Sequence, residues 1–121
     1  MHYALLIHED YPDAYPDGET GPAWRDIFHA HIAYGGELAQ AGVMIGGAGL
    51  KRYDTATTVR VTPEVRTVHD GPFAETREQL GGIYMIDVPD LDAAIEWAKK
   101  LPISRYGSIE IRPMLPPPPQ G

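Results

Sequence analysis

Cysteine is absent from the chain. That removes a disulfide framework, thiolate metal sites and thiol nucleophiles together. Nothing then points to an oxidising compartment, and the cytoplasm is the expected location. Positive charge is scarce as well. Ten Lys and Arg stand against seventeen Asp and Glu, a formal net charge of −7. The basic residues gather no further than the pairs Lys51-Arg52 and Lys99-Lys100. Direct contact with nucleic acid or with an anionic membrane is therefore not expected. No apolar run approaches the roughly 20 residues that a membrane-spanning helix needs. Met1 to His8 lacks the basic flank of a signal peptide and is too short for one. No His, Asp and Glu set has the spacing of a metal site such as His-Glu-x-x-His. Gly46, Gly47 and Gly49 are followed by no Lys-Ser/Thr and open no helix, so they form no phosphate loop. Neither a metal nor a cofactor is expected.

What is present reads as one domain over residues 1–113, with a Pro-rich tail over 114–121. Residues 1–8 are apolar on both parities, which suits a central strand. Residues 10–22 carry repeated turn chemistry and form a long connector, either a lid or a plain insertion. Ala23 to Ala41 reads as a helix with the stripe Trp24, Phe28, His31, Gly35, Leu38 and Gly42. Gly35-Gly36 in mid-helix disfavours it by roughly 1 kcal/mol each, which points to close packing on a sheet or a partner. A second strand, Val43 to Leu50, is thinned by glycines that mark a bulge or a close approach by a ligand. Thr57 to Val61 and Val65 to His69 read as a hairpin. Ile83 to Val88 is the next strand. Asp90 caps a second helix whose buried face is Leu91, Ala94, Ile95, Ala98 and Leu101, with Glu96 and Lys100 as an exposed pair. Ser108 to Pro113 closes the domain, with Ile109 and Ile111 inward.

This order, strand–helix–strand, hairpin, strand–helix–strand, is an α+β arrangement with both helices on one sheet face. The other face, with Tyr3, Val59 and Ile83 or Tyr84, is apolar enough to need a cover. A second copy of the chain is the simplest cover, so a homodimer is expected.

The most specific stretch is His69-Asp70-Gly71-Pro72-Phe73-Ala74-Glu75-Thr76-Arg77-Glu78-Gln79-Leu80-Gly81-Gly82. Gly permits φ > 0, Pro fixes φ, and Asp closes a turn with its own side chain. Phe73 offers an apolar anchor. Ala74 to Leu80 reads as barely two helical turns, stopped by Gly81-Gly82. The stretch closely resembles the signature of the DGPF branch of the YCII-related family. The likeness continues through Ile83 to Val88, Asp90 to Ala98 and Ile109 to Pro113. Upstream, Glu37 to Val43 and Thr55 to Arg60 also resemble the family. The resemblance implies a ferredoxin-like fold that pairs into a dimeric α/β barrel.

His31 is the leading titratable group, because its stripe neighbours Trp24, Phe28 and Leu38 are apolar. Better-known YCII-related proteins are similar here, with a helix His, a Gly at the same interval, and an Asp paired to the His. Some are hydrolases or dehydrochlorinases using that dyad. This chain has Val43 where the dyad Asp would follow Gly42, and Asp70 is the substitute by inference. A carboxylate would fix the imidazole tautomer and raise its basicity, and the imidazole would activate water. The bland alternative is a core histidine bonded to backbone and an Asp70 that only closes its turn. Gly71, Pro72, Phe73 and Glu75, with Tyr84 on the next strand, are the candidate binding residues. Glu75, Arg77 and Glu78 either support Asp70 or form a solvated turn. Ser104 and Ser108 sit near no recognisable base.

Three functional readings follow. The first is an acid–base enzyme on a small organic molecule, through His31 and Asp70. The second is a ligand-binding or structural dimer. The third rests on the resemblance alone: domains like this occur beside sigma factors, implying an accessory role in transcription.

Overall fold

Strand β1 (His2–Glu9) lies at the centre of the molecule because both of its faces can be covered. Tyr3, Leu5 and Ile7 are buried on one side, and Ala4 is buried on the other. The computed structural model describes residues 1–103 and 105–119. Along the chain follow α1 (Tyr11–Ala14), α2 (Pro22–Gln40), β2 (Met44–Gly49), β3 (Thr57–Val61) and β4 (Arg66–Asp70). Then come β5 (Gln79–Asp87), α3 (Leu91–Lys100) and β6 (Gly107–Pro113). β1 pairs antiparallel with β5 on one edge and with β6 on the other, and β2 extends the sheet beyond β5. The order β2-β5-β1-β6 makes two split β-α-β units, a ferredoxin-like sheet with β3 and β4 inserted as a separate hairpin.

Register decides which side chains the helices cover. Leu5 lies opposite Tyr84 and Ile111, and Tyr3 opposite Ile86. These residues therefore share the helix-facing side, and Tyr3, Leu5, Ile86, Tyr34, Leu38, Ala94 and Ala98 form one core. Leu5, Leu38 and Ile86 are fully buried. Tyr3 and Tyr84 thus belong to the helix face, not to the open face expected of them. The open face holds Ala4, Leu6, Ile83 and Met85, by the alternation of the same register. Val59 lies on the hairpin, off the main sheet.

Helix α2 starts with Pro22 at its first turn, where the missing N–H is no loss. Its buried residues are Tyr34 and Leu38. The covered stripe runs Ile27, His31, Tyr34, Leu38, rotated from the expected one, and Phe28 stays 47% exposed. The two stripes coincide at His31 and Leu38. Tyr34 joins the helices: its hydroxyl donates to the Trp97 carbonyl at 2.7 Å. That carbonyl is one of the last four of α3, which lack intrahelical donors. Among the described residues nothing outside the helix's own backbone lies within 4 Å of a Cβ built at Gly35 or Gly36, so close packing among them does not explain that pair.

Asp90 caps α3, accepting from the Ala93 N–H at 2.9 Å. Ala94, Ala98 and Leu101 are buried, but Leu91 is 48% exposed. Glu96 pairs with Lys99 rather than Lys100, whose Nζ lies over the Trp97 ring. In β2 the register slips between Met44 and Gly46, so the glycines do mark a bulge.

The signature stretch differs from expectation in three ways. Residues 71–78 contain no helix, and Gly81-Gly82 lie inside β5. The ladder with β1 takes Gln79 and Leu80 into β5, and residues 74–78 alone are too short for a stable isolated helix. Phe73 is 79% exposed, so its ring is not the buried anchor expected of it. Gly71 does use its freedom, with φ +113°, to turn the chain out of β4. The 10–22 connector is also more ordered than a loop. It holds α1 and a 3-10 turn, Gly18–Thr20. After Pro113 the described tail has no regular structure, and Leu115 is 90% exposed.

Candidate functional site

A cavity of about 400 Å³ opens between α2, the ends of β1 and β5, β2 and the α1 insert. Its walls are mostly aromatic and apolar, with a few polar groups turned inward. His31 reaches it because the helical period sets it one turn before Gly35, beside the buried Tyr34. Tyr84 reaches it from the middle of β5. The two meet there: His31 Nδ1 lies 2.8 Å from the Tyr84 hydroxyl. Their rings stack at 5.8 Å with 23° between planes, and Tyr34 stands edge-on to Tyr84.

Burial lowers the pKa of His31, with no carboxylate opposing it. Burial also raises the pKa of Tyr84. Near neutral pH the pair is thus a neutral imidazole against a neutral phenol. One ring nitrogen faces the phenol, and the other nitrogen completes a donor–acceptor couple. Such a pair can take a proton at one end and supply one at the other.

A second buried polar group closes the floor. Odd-numbered residues of β1 face the helices, and Glu9 continues that phase beyond Ile7. It is only 8% exposed. The Tyr15 hydroxyl reaches both carboxylate oxygens, at 2.9 and 3.1 Å. Burial and the neighbouring Glu9 push the Tyr15 phenol far up, so it remains a donor. Trp24 and Phe28 stack at 5.1 Å on the α2 wall. Arg52 stands at the mouth between the rings of Tyr11 and Tyr53.

The signature residues build a frame beside this cavity. Arg77 Nε lies 2.6 Å from Asp10 Oδ2, tying the segment to the start of the α1 insert. The guanidinium holds Asp10 below its ordinary pKa. Glu78 accepts from Ser108 on β6 at 2.9 Å. The Gln79 amide donates to the carbonyls of Ala74 and Thr76. Gly71 N–H donates to Ala56, and its carbonyl accepts from Thr58.

Of the residues expected to form the site, His31 and Tyr84 meet in the cavity. Asp70 does not join them. It ends β4 in a separate shallow depression with Gly71, Pro72 and Glu75. Among the described residues no hydrogen bond or ion pair connects His31 with Asp70. Phe73 points to solvent. His8 meets Glu110 at 3.3 Å and His2 meets Asp87 at 3.7 Å, both away from the cavity. Among the described residues no three His, Asp or Glu side chains converge. Ser104 lies outside the described residues. Glu9, Tyr15 and Arg52 escaped the reading of the sequence. Strand parity alone could have flagged Glu9, since an acid in phase with Tyr3, Leu5 and Ile7 must be buried with a partner.

Comparison of the sequence with known proteins gives its family. The YCII-related domain matches residues 1–117. The chain is also similar to uncharacterized protein R00369 of Rhizobium meliloti (strain 1021). Identity is 36% over 118 residues, covering 94% of this chain and 92% of that protein. A match across nearly the whole chain settles the family: this protein belongs to the YCII-related domain family.

Proposed function

We propose that the cavity binds a small organic molecule and that His31 and Tyr84 perform acid–base chemistry on it. The 2.8 Å contact between His31 Nδ1 and the Tyr84 hydroxyl, inside a cavity of ligand size, carries this reading. The neutral imidazole is the base. It accepts a proton from the ligand or from water, and the adjoining phenol donates one as the hydrogen bond reverses. Here Tyr84 takes the part first expected of Asp70. Such a pair suits isomerisation, elimination or hydrolysis of a compound with an acidic C–H or a polarised carbonyl. The test is deuterium incorporation from D2O into a panel of small enolisable carbonyl compounds, read by NMR. His31→Gln should abolish the exchange and Tyr84→Phe should slow it. Exchange that survives His31→Gln in full would sink the reading.

The proposed assembly is a homodimer. Support comes from the open sheet face, where Leu6, Ile83 and Met85 are partly exposed, and from the hairpin. There Val59, Val61 and Val68 are all more than half exposed. Apolar surface of this extent on two neighbouring elements calls for a partner.

A further inference from the structure

The polar groups around the cavity are not evenly signed. Among the described lining residues Lys51 and Arg52 are the cations, and Glu9 is the carboxylate. On the wall itself this is an excess of positive charge in a chain whose formal net charge is −7, offset in part by Asp54, which meets Arg52 at 3.0 Å without lining the cavity. An apolar-walled cleft with an excess of one sign favours ligands of the opposite sign. Glu9 is already engaged by Tyr15 and is nearly buried.

Arg52 is held as a recognition group would be. Its guanidinium carbon lies 5.1 Å from the Tyr11 ring centroid and 5.4 Å from that of Tyr53. Asp54 Oδ2 meets it at Nε, 3.0 Å away. Two ring faces thus flank a group whose fork matches a carboxylate, and despite the Asp54 contact its buried Nε has no hydrogen-bond partner among the described residues. On the α2 side, Trp24 and Phe28 lie with only 14° between their planes. Rings stacked in this way leave one outer aromatic face on which a further flat group can stack.

Resting on the acid–base reading of the cavity, we propose that its ligand is a small planar organic anion. The carboxylate sits at Arg52 and Lys51, and the flat body stacks on the outer face of the Trp24–Phe28 pair. The atom that exchanges a proton faces His31 and Tyr84. A fork-to-carboxylate contact fixes both position and orientation, which proton transfer at one carbon requires.

Benzoate, benzamide and benzylamine share one ring and differ in head-group charge, so they separate the possibilities. Each is titrated onto the intact protein while the side-chain resonances of Trp24 and His31 are followed by NMR. Benzoate is expected to bind at millimolar concentrations, about tenfold or more tighter than benzamide. Arg52→Gln is expected to erase that preference, and Arg52→Lys to keep part of it, as a charge without the fork. Circular dichroism of both variants checks that the fold persists. Benzoate binding no tighter than benzamide, or unchanged in Arg52→Gln, overturns the anion assignment while the cavity still stands as a ligand site. Tighter binding of benzylamine overturns it in favour of Glu9 as the recognising group. Failure of all three probes to move Trp24 and His31 overturns the assignment and the ligand-site reading together.

Discussion

His31 and Tyr84, far apart in sequence, are joined by a 2.8 Å contact from the middle of α2 to the middle of β5. The contact exists only when the helix is docked on the sheet. Site and fold are therefore coupled, and the titration of His31 reports on both.

The first prediction concerns pH. Burial lowers the folded-state pKa of His31 below its ordinary value of 6.5. The unfolded chain then binds more protons at this group than the folded one does. Its contribution is intact above pH 6.5 and is lost as pH falls through the window down to the folded pKa. His31→Gln removes the titration and keeps a hydrogen-bonding group. Unfolding midpoints in urea should decline less for this variant than for the wild type as pH drops below 6.5. Parallel declines would show that His31 is not desolvated.

Asp70→Asn should leave the His31 titration where it is. The two side chains line different depressions, and burial is the cause of the His31 shift. If instead the pKa of His31 fell by about a unit in the mutant, a carboxylate pairing would be acting, brought by a second copy of the chain.

Tyr34→Phe should destabilise the fold by about 1 kcal/mol, because it deletes the donor to an end carbonyl of α3. Leu38→Ala should be worse, about 2–5 kcal/mol, because the side chain is fully buried and leaves a cavity. Denaturant unfolding gives both values. A smaller effect for Leu38→Ala than for Tyr34→Phe would contradict the packing described.

Arg77→Ala should loosen the α1 insert without much change to global stability. Arg77 is largely exposed, and pairs of this kind contribute little. Hydrogen exchange should quicken at the amides of Ala14 and Tyr15, whose bonds hold the insert's single turn. Unchanged exchange there would mean that Arg52 and Tyr11 suffice to hold it.

Sedimentation at micromolar concentration should give a species of twice 13.3 kDa. Placing Arg at Leu6, on the open sheet face, should shift it toward the monomer while leaving the circular dichroism intact. A wild-type chain that sediments only as monomer removes the dimer.

Much of the fold was legible in the chain. β1 announced itself by apolar residues on both parities, α3 by Asp90 and its alanine stripe, and the hairpin by its valines and threonines. Local periodicity reports such elements because each depends on neighbours in sequence. His31 also stood out, as a titratable group in an apolar stripe. Its partner was not legible. Asp70 looked right by chemistry, yet its strand pairs away from the main sheet. Tyr84 became the partner because antiparallel register sets it opposite Leu5, on the face that α2 covers. The helix expected over Ala74 to Leu80 failed for a related reason: the β1–β5 ladder takes Gln79 and Leu80, and the remaining 74–78 is too short for an isolated helix. Sequence alone determined that His31 is a titratable group set among apolar ones, and which form most segments take, helix or strand. Register and helix docking decided which residues meet, because long-range pairing belongs to the sheet and not to any one segment.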